Sequence, residues 1–318
     1  MRALAAGLLV GVLSNVAFAQ AYPTKPIRVV VPNPAGGIDV YARVFLPRAV
    51  ELLGQPIVIE NRAGASGAIG AENIAKSPPD GYSLLFSTSA QIVTSPFLNK
   101  SLPYDPIRDF TPVTKALEPV EALLIHAALP FNSVRELIDY AKKNPVKLSY
   151  GSSGVGSIPH FEGELFKAAA GVDMLHVPYK GLAQILPELA AGRIDVAFPG
   201  IGSGNNIVAT GKARILAVMD ETRYAGLPDM PSITETLPGF RRAPLWFSFF
   251  GPAKLPAPIV DRLHAAFVKS LGAPEVREQL AKMYLRPVGG TPDELAASIR
   301  SDMERTAALV KSIGLKPE

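Results

Sequence analysis

The chain has no cysteine and a single tryptophan, and only 19% of its 318 residues are charged. Without cysteine, disulfide scaffolds, thiolate zinc sites and thiol catalysis are excluded. Lysine and arginine form no run, which argues against a nucleic-acid footprint and against a polybasic membrane patch. The four histidines, His126, His160, His176 and His264, are scattered, and none lies four residues from another as a helical zinc site requires. Gly156-Ser157 lacks the intervening residue and trailing glycine of a Gly-x-Ser-x-Gly nucleophile elbow. No nucleophile–base pair is legible, so a secreted hydrolase is only a remote alternative, and neither an enzyme activity nor a cofactor is expected.

Long apolar runs are scarce too. The one at the amino terminus, Ala3 to Val12 behind Met1-Arg2, leads to Ala17-Phe18-Ala19, the pattern of a secretory signal peptide. Residues 1–21 are therefore expected to be removed and the mature chain, taken from Tyr22, to be periplasmic. Loss of Arg2 lowers the formal net charge from +4 by one, to a mild +3. The roughly 300 residues left exceed one ordinary hydrophobic core and suit two lobes with a cleft between them.

What is present is an alternation of β-rich and helical patterns, expected to form mainly parallel sheets with crossover helices. Strands are predicted at Ile27–Val31, Ile57–Glu60 and Ser83–Phe86, with helices at Val40–Leu53 and Ala68–Lys76. A second series runs from Leu123–His126 to Ile215–Val218, through strands Leu148–Tyr150, Leu175–Pro178 and Ile194–Phe198 and helices Val134–Lys143, His160–Ala169 and Ala183–Ala191. Strand Leu245–Phe250 follows, then helices Pro258–Leu271, Pro274–Met283 and Pro292–Ile313, which lack strands of their own and should pack on the first sheet. The fold class is α/β, a two-lobed, hinged architecture: residues 22–121 and 222–318 form lobe one and 122–221 lobe two. Crossings near Leu117–Ala122 and Met219–Arg223 make the hinge. Pro47 and Pro187 each interrupt a helical pattern and predict a kink or an early break.

Several strands end in short Gly/Ser/Thr loops leading into helices, where ligands collect in open α/β sheets. Four stand out: Pro34-Ala35-Gly36-Gly37, Ser87-Thr88-Ser89, Gly151 to Ser157, and Pro199 to Gly204. Such loops offer amides and hydroxyls at the positive ends of helix dipoles, where a carboxylate is held without an arginine. Taken singly, each is also an ordinary βα connection with suitable turn residues. Asp39 is expected to cap the first helix or to meet a ligand amine. The glycine-rich Asn61 to Gly67 segment, with Ser66, matches no nucleotide-binding fingerprint and is expected to face the cleft. Lys180 is a secondary candidate for an anionic ligand. The candidate ligand residues are thus Asn33 to Gly37, Asp39, Ser66, Ser87, Thr88, Ser89, Ser152, Ser153, Gly154, Gly156, Ser157, Lys180, Pro199 and Gly200.

Tyr22-Pro23-Thr24-Lys25-Pro26-Ile27, Pro34-Ala35-Gly36-Gly37, Glu60-Asn61-Arg62-Ala63-Gly64, Pro79-Asp80-Gly81-Tyr82, His176-Val177-Pro178-Tyr179-Lys180-Gly181 and Leu227-Pro228-Asp229-Met230-Pro231 occur in this order. Together with Trp246 to Pro252 and Thr291-Pro292-Asp293-Glu294, this set resembles the Bug family, extracytoplasmic receptors of tripartite tricarboxylate transporters. The resemblance implies a type II periplasmic-binding-protein fold that closes, like a Venus flytrap, on a di-, tri- or aromatic carboxylate. It implies delivery to membrane permease subunits by a monomer; a receptor feeding a membrane signalling kinase is the alternative. It also implies ligand sites at Pro34–Gly37 with Asp39, at Ser87–Ser89 and at Ser152–Ser157. The chain departs from the family at Asn33, where an aromatic is usual, at the single residue Ile38 between Gly37 and Asp39, and at Pro199, where Asp or Asn is frequent.

Overall fold

The computed structural model describes residues 22–317, so the expected signal peptide lies outside the described residues. The first unit comprises β1 (Ile27–Val31), α1 (Asp39–Leu53), β2 (Ile57–Asn61), α2 (Ala68–Ala75), β3 (Ser83–Thr88), α3 (Ser95–Leu98) and β4 (Phe110–Pro119). The second comprises β5 (Ala122–His126), α4 (Val134–Lys143), β6 (Ser149–Ser152), α5 (Ile158–Ala170), β7 (Leu175–Pro178), α6 (Leu182–Ala190), β8 (Val196–Ala197), α7 (Ile201–Ala209) and β9 (Ala213–Val218). The chain closes with β10 (Phe247–Pro252), α8 (Ala257–Leu271), α9 (Pro274–Lys282), β11 (Leu285–Gly290) and α10 (Pro292–Ser312).

Two sheets result, in the orders β11-β4-β10-β3-β1-β2 and β7-β6-β8-β5-β9. Alternate residues of the first sheet face its two covered sides: Ile27, Val29 and Val31 of β1 join Leu84, Phe86, Phe247 and Phe249 on one face, packed beneath α1, α8 and α9. Val30, Leu85 and Phe250 point to the other face, against α2 and α10. Phe45, Phe86, Phe249 and Phe267 are wholly buried, each contributing about 1.5–3 kcal/mol of transfer free energy. The final helices do pack on the first sheet.

The sheets are mixed rather than parallel throughout. β1, β2 and β3 are parallel, but β10 runs antiparallel to β3 on one side and to β4 on the other, and β11 pairs antiparallel with β4. β4 and β11 were not foreseen. In β4, Pro112, Lys115 and Glu118 dilute the apolar pattern, and only pairing to β10 and β11 on either side makes the segment a strand. β11 carries Pro287, Gly289 and Gly290, tolerable because it is an edge strand. β8 shrinks to two residues, and the expected Pro199–Gly204 loop becomes helix α7 from Ile201 onward. Its glycines serve close packing: a Cβ on Gly204 would lie 2.8 Å from Leu124, and one on Gly202 2.6 Å from the Met283 carbonyl. Helices α1 and α6 run through Pro47 and Pro187, so neither proline breaks its helix.

The first crossing lies between β4 and β5. The return differs from expectation. Met219 donates its amide to the Glu121 carbonyl, but Tyr224, Leu227, Met230, Ile233, Leu237 and Phe240 pack on the core of the second sheet. The chain rejoins the first sheet only through Arg241–Leu245, because those apolar side chains find their cover on the second sheet. Three segments therefore meet at the hinge, knotted by Arg242: its Nη1 donates to Glu121 at 2.5 Å and its Nε to Asp220 at 3.0 Å, while Arg286 of β11 reaches Asp220 at 2.7 Å. Burial drives Glu121 up to about 7 although Arg242 opposes it, and the same carboxylates raise the Arg242 guanidinium.

Candidate functional site

Parallel strands release their carboxyl ends at one edge of a sheet, and the candidate loops follow that rule. Residues 32–38, 62–67 and 89 onward leave the neighbouring strands β1, β2 and β3. The 153–157 and 198–200 segments leave β6 and β8, which are also parallel neighbours. Loops from the two sheets meet across the cleft at one point in particular: a Cβ on Gly156 would stand 2.7 Å from Leu98 of α3. An apolar cluster of Ile158 and Phe161 with Phe97, Leu98 and Leu245 continues that contact. Pro199 and Gly200 lie instead against the first crossing, where the Pro199 carbonyl accepts from the Ala122 amide at 2.9 Å.

In the first loop Pro34, Ala35, Gly36 and Gly37 are exposed. Gly36 adopts φ +83°, a left-handed conformation that favours glycine. Gly37 donates to the Pro34 carbonyl, whereas the amides of Ala35, Gly36, Ile38 and Asp39 have no protein partner among the described residues. Asp39 is not the N-cap: Ile38 holds that position without a side-chain cap, and Asp39 is the first helical residue. Only 3% exposed, Asp39 receives Arg43 on Oδ2 at 3.3 Å, while its Oδ1 and the Oδ1 of Asn33 are buried without partners. Asn61 Nδ2 donates to the Asn33 carbonyl at 3.0 Å, tying the first loop to β2.

The second loop is organised by Gln91, a residue that the sequence did not single out. Its Oε1 accepts from Ser87 Oγ at 2.9 Å, Thr88 Oγ1 at 2.7 Å and the Thr88 amide at 3.3 Å. Its Nε2 donates 2.9 Å to the carbonyl of exposed Ser66, joining the 64–67 and 87–89 segments. Ser89 is also engaged internally, its hydroxyl donating to the Pro244 carbonyl at 2.6 Å. No motif marks Gln91, since its partners lie in two separate loops.

In the third loop Gly154 and Gly156 have φ +122° and +77°. The Gly154 amide donates to Ser152 Oγ at 3.2 Å, the Gly156 amide to His160 Nδ1 at 3.0 Å, and Ser157 Oγ to the Gly154 carbonyl at 2.7 Å. Ser153 and Val155 amides have no partner among the described residues. Fully buried Ser152 also stands 2.6 Å from His176 Nε2. A serine–histidine pair thus exists that no local pattern announced, because 24 residues separate its members. Ser152 is 0% exposed, and no carboxylate orients His176 by a hydrogen bond among the described residues, so the pair lacks an accessible nucleophile. Lys180 is exposed and its amide donates to Gln184 Oε1 at 2.9 Å at the entry to α6.

A cavity of about 320 Å³ lies beside the Arg242 cluster, lined by Lys115, Glu118, Asp220, Arg242, Arg286 and Asp302 among others; none of the loop residues lines it, although Ser89 bonds to Pro244 and Trp246 in its wall. Among the described residues no three His, Cys, Asp or Glu side chains gather as a metal site, and no helix is long and apolar enough to cross a membrane.

A family model described as a tripartite tricarboxylate transporter family receptor (TctC) matches residues 41–315. Among curated proteins, a "UPF0065 protein in tcbD-tcbE intergenic region" of Pseudomonas sp. is 35% identical over 97% of this chain and 93% of its own length. Protein BugT of Bordetella pertussis is 32% identical over 94% of this chain and 92% of its own. Among solved structures, an R. palustris protein with adipate superposes with a TM-score of 0.81 at 34% identity, covering 93% of this chain and 100% of the other. MatC from Rhodopseudomonas palustris with bound malate gives 0.75 at 30% identity, covering 91% and 100%.

Proposed function

The chain belongs to the tripartite tricarboxylate transporter receptor family, and on that premise we propose that it captures a small organic carboxylate between its lobes and delivers it to membrane permease subunits. Its relatives are solute-binding receptors, not enzymes, and the family implies a periplasmic location. The observation that carries the ligand class is the set of unpartnered amides in two loops from different sheets, at Ala35, Gly36, Ile38 and Asp39 and at Ser153 and Val155. Amides of this kind, beside the N-termini of α1 and α5, hold carboxylate oxygens without an arginine. Asn33, Ser66, Ser87 to Ser89, Ser157 and Lys180 would shape or border the same cleft, with Pro199-Gly200 behind it at the first crossing. Adipate and malate in the related structures are consistent with this class.

Residues 22–121 and 246–318 would form one lobe and 122–240 the other, with 1–21 removed on export. Hinge closure about Glu121, Asp220 and Arg242 would bury the cargo, and the receptor would act as a monomer. A thermal-shift screen of adipate, malate, benzoate and aliphatic mono-, di- and tricarboxylates tests the ligand class. At about 100 times its dissociation constant a true ligand adds roughly 2.7 kcal/mol of stability. No shift with any carboxylate would refute the proposal. Capture of a permease subunit by the liganded form tests transport against sensing, since a signalling receptor would recover a kinase instead.

A further inference from the structure

Beneath the third loop lies a feature that carboxylate binding does not by itself require: a column of three stacked rings. His160 and His176 stack with centroids 4.1 Å apart and planes 20° from parallel, and Tyr150 continues the stack on His176 at 4.9 Å. Each histidine ends on the loop. His160 Nδ1 takes the Gly156 amide at 3.0 Å, and His176 Nε2 meets Ser152 Oγ at 2.6 Å. A backbone N–H can only donate, so His160 Nδ1 must be an unprotonated acceptor and His160 the neutral Nε2–H tautomer. Burial first, and His176 second, hold His160 down at about 4, and burial lowers His176 as well. Two cationic rings at this separation would repel each other and would present a proton to a proton at Gly156.

The hydrogen bonding of the loop is divided by these contacts. The amides of Gly154 and Gly156 are consumed inward by Ser152 and His160, and the Ser157 amide by the Gly154 carbonyl at 3.2 Å. The Ser153 and Val155 amides between them are left over, and Val155 is 62% exposed. We propose that His160 and His176 are positioning residues of the ligand site: His160 holds the Gly156 amide directly and His176 holds the Ser152 hydroxyl that takes the Gly154 amide, which leaves the amides of Ser153 and Val155 for the ligand. This inference rests on the carboxylate reading above. Neither histidine need touch the ligand.

The test uses the geometry of amide side chains. Asn places an acceptor oxygen where His carries Nδ1, and Gln places its amide where His carries Nε2. In calorimetric titrations with adipate, malate and benzoate, His160→Asn should bind within about threefold of wild type, while His160→Gln and His160→Phe should lose about tenfold or more, the scale of one lost hydrogen bond. For His176 the preference reverses, with Gln retained and Asn impaired. Equal affinities across each series, or equal losses, would overturn the proposal. Should variants fail to fold, the wild-type protein still decides: a ¹⁵N–¹⁵N coupling through the hydrogen bond from Gly156 to His160 Nδ1 is expected, and its absence refutes the anchoring. Wild type that shows the coupling but binds no carboxylate in the full panel removes the ligand reading, and the positioning role with it. Binding by wild type without the variant pattern removes the positioning role alone.

Discussion

Replacing Gln91 with leucine tests whether one side chain holds the second loop. Gln91 is 4% exposed and carries three accepted hydrogen bonds and one donated. Leucine fills a similar volume but can make none of them. The Ser66 carbonyl belongs to an exposed residue and would turn to water, and Ser87 keeps the Thr88 carbonyl at 3.2 Å. The losses therefore fall on Thr88, whose hydroxyl proton and amide both lose their acceptor inside the protein. At about 1–3 kcal/mol per orphaned buried donor, less the gain from burying an apolar side chain, the expected destabilisation is about 2–4 kcal/mol. Urea unfolding followed by circular dichroism reads it as a lower midpoint. A Gln91→Leu protein within about 0.5 kcal/mol of wild type would refute the assignment of Gln91 as the organiser.

Gly36→Ala separates loop shape from folding. A Cβ at Gly36 meets no atom within 4 Å, so the cost is backbone strain at φ +83°, about 1 kcal/mol, and the thermal shift with carboxylate should vanish while the unliganded protein stays folded; a preserved shift would count against the first loop. Glu162 governs a pH dependence. Fully buried, with Oε1 unpartnered and Oε2 receiving only the Ala243 amide at 2.7 Å, its carboxyl is pushed well above 4.5, first by burial and then by Glu121. The folded state then holds a proton that the unfolded state releases near 4.5, so stability falls as pH rises through the interval above that value. Glu162→Gln should flatten this slope in urea titrations between pH 5 and about 8, and an unchanged slope would assign it to another group such as Glu121.

The parts of the fold that were legible were those decided by neighbours in sequence. The near-continuous apolar runs of β1 and β3, the 3.6-residue pattern of α4 with its Ser133 cap, and the Thr291–Glu294 capping box of α10 are local features that the chain writes directly. The parts that were missed depend on partners. β4 is a strand because β10 and β11 flank it, and residues 222–240 cover the second sheet because their apolar side chains find cover there. Loop composition marked the candidate ligand segments, yet it gave no hint of which hydroxyls are already taken. Gln91 escaped notice, and His160 and His176 were weighed as metal ligands rather than as loop anchors, because glutamine and isolated histidine carry no local signature.

By itself, the sequence determined an α/β chain without cysteine, metal-site or nucleotide-loop signatures, whose glycine-rich loops follow strands and whose motifs belong to one receptor family. Those properties are fixed by composition and short-range order. The tertiary structure decided which amides remain free, which carboxylates are buried around Arg242, and that a serine and a histidine 24 residues apart touch without making a catalytic site. Hydrogen-bond partnership and burial are properties of groups brought together from distant parts of the chain, and only the packed molecule settles how each of them is satisfied.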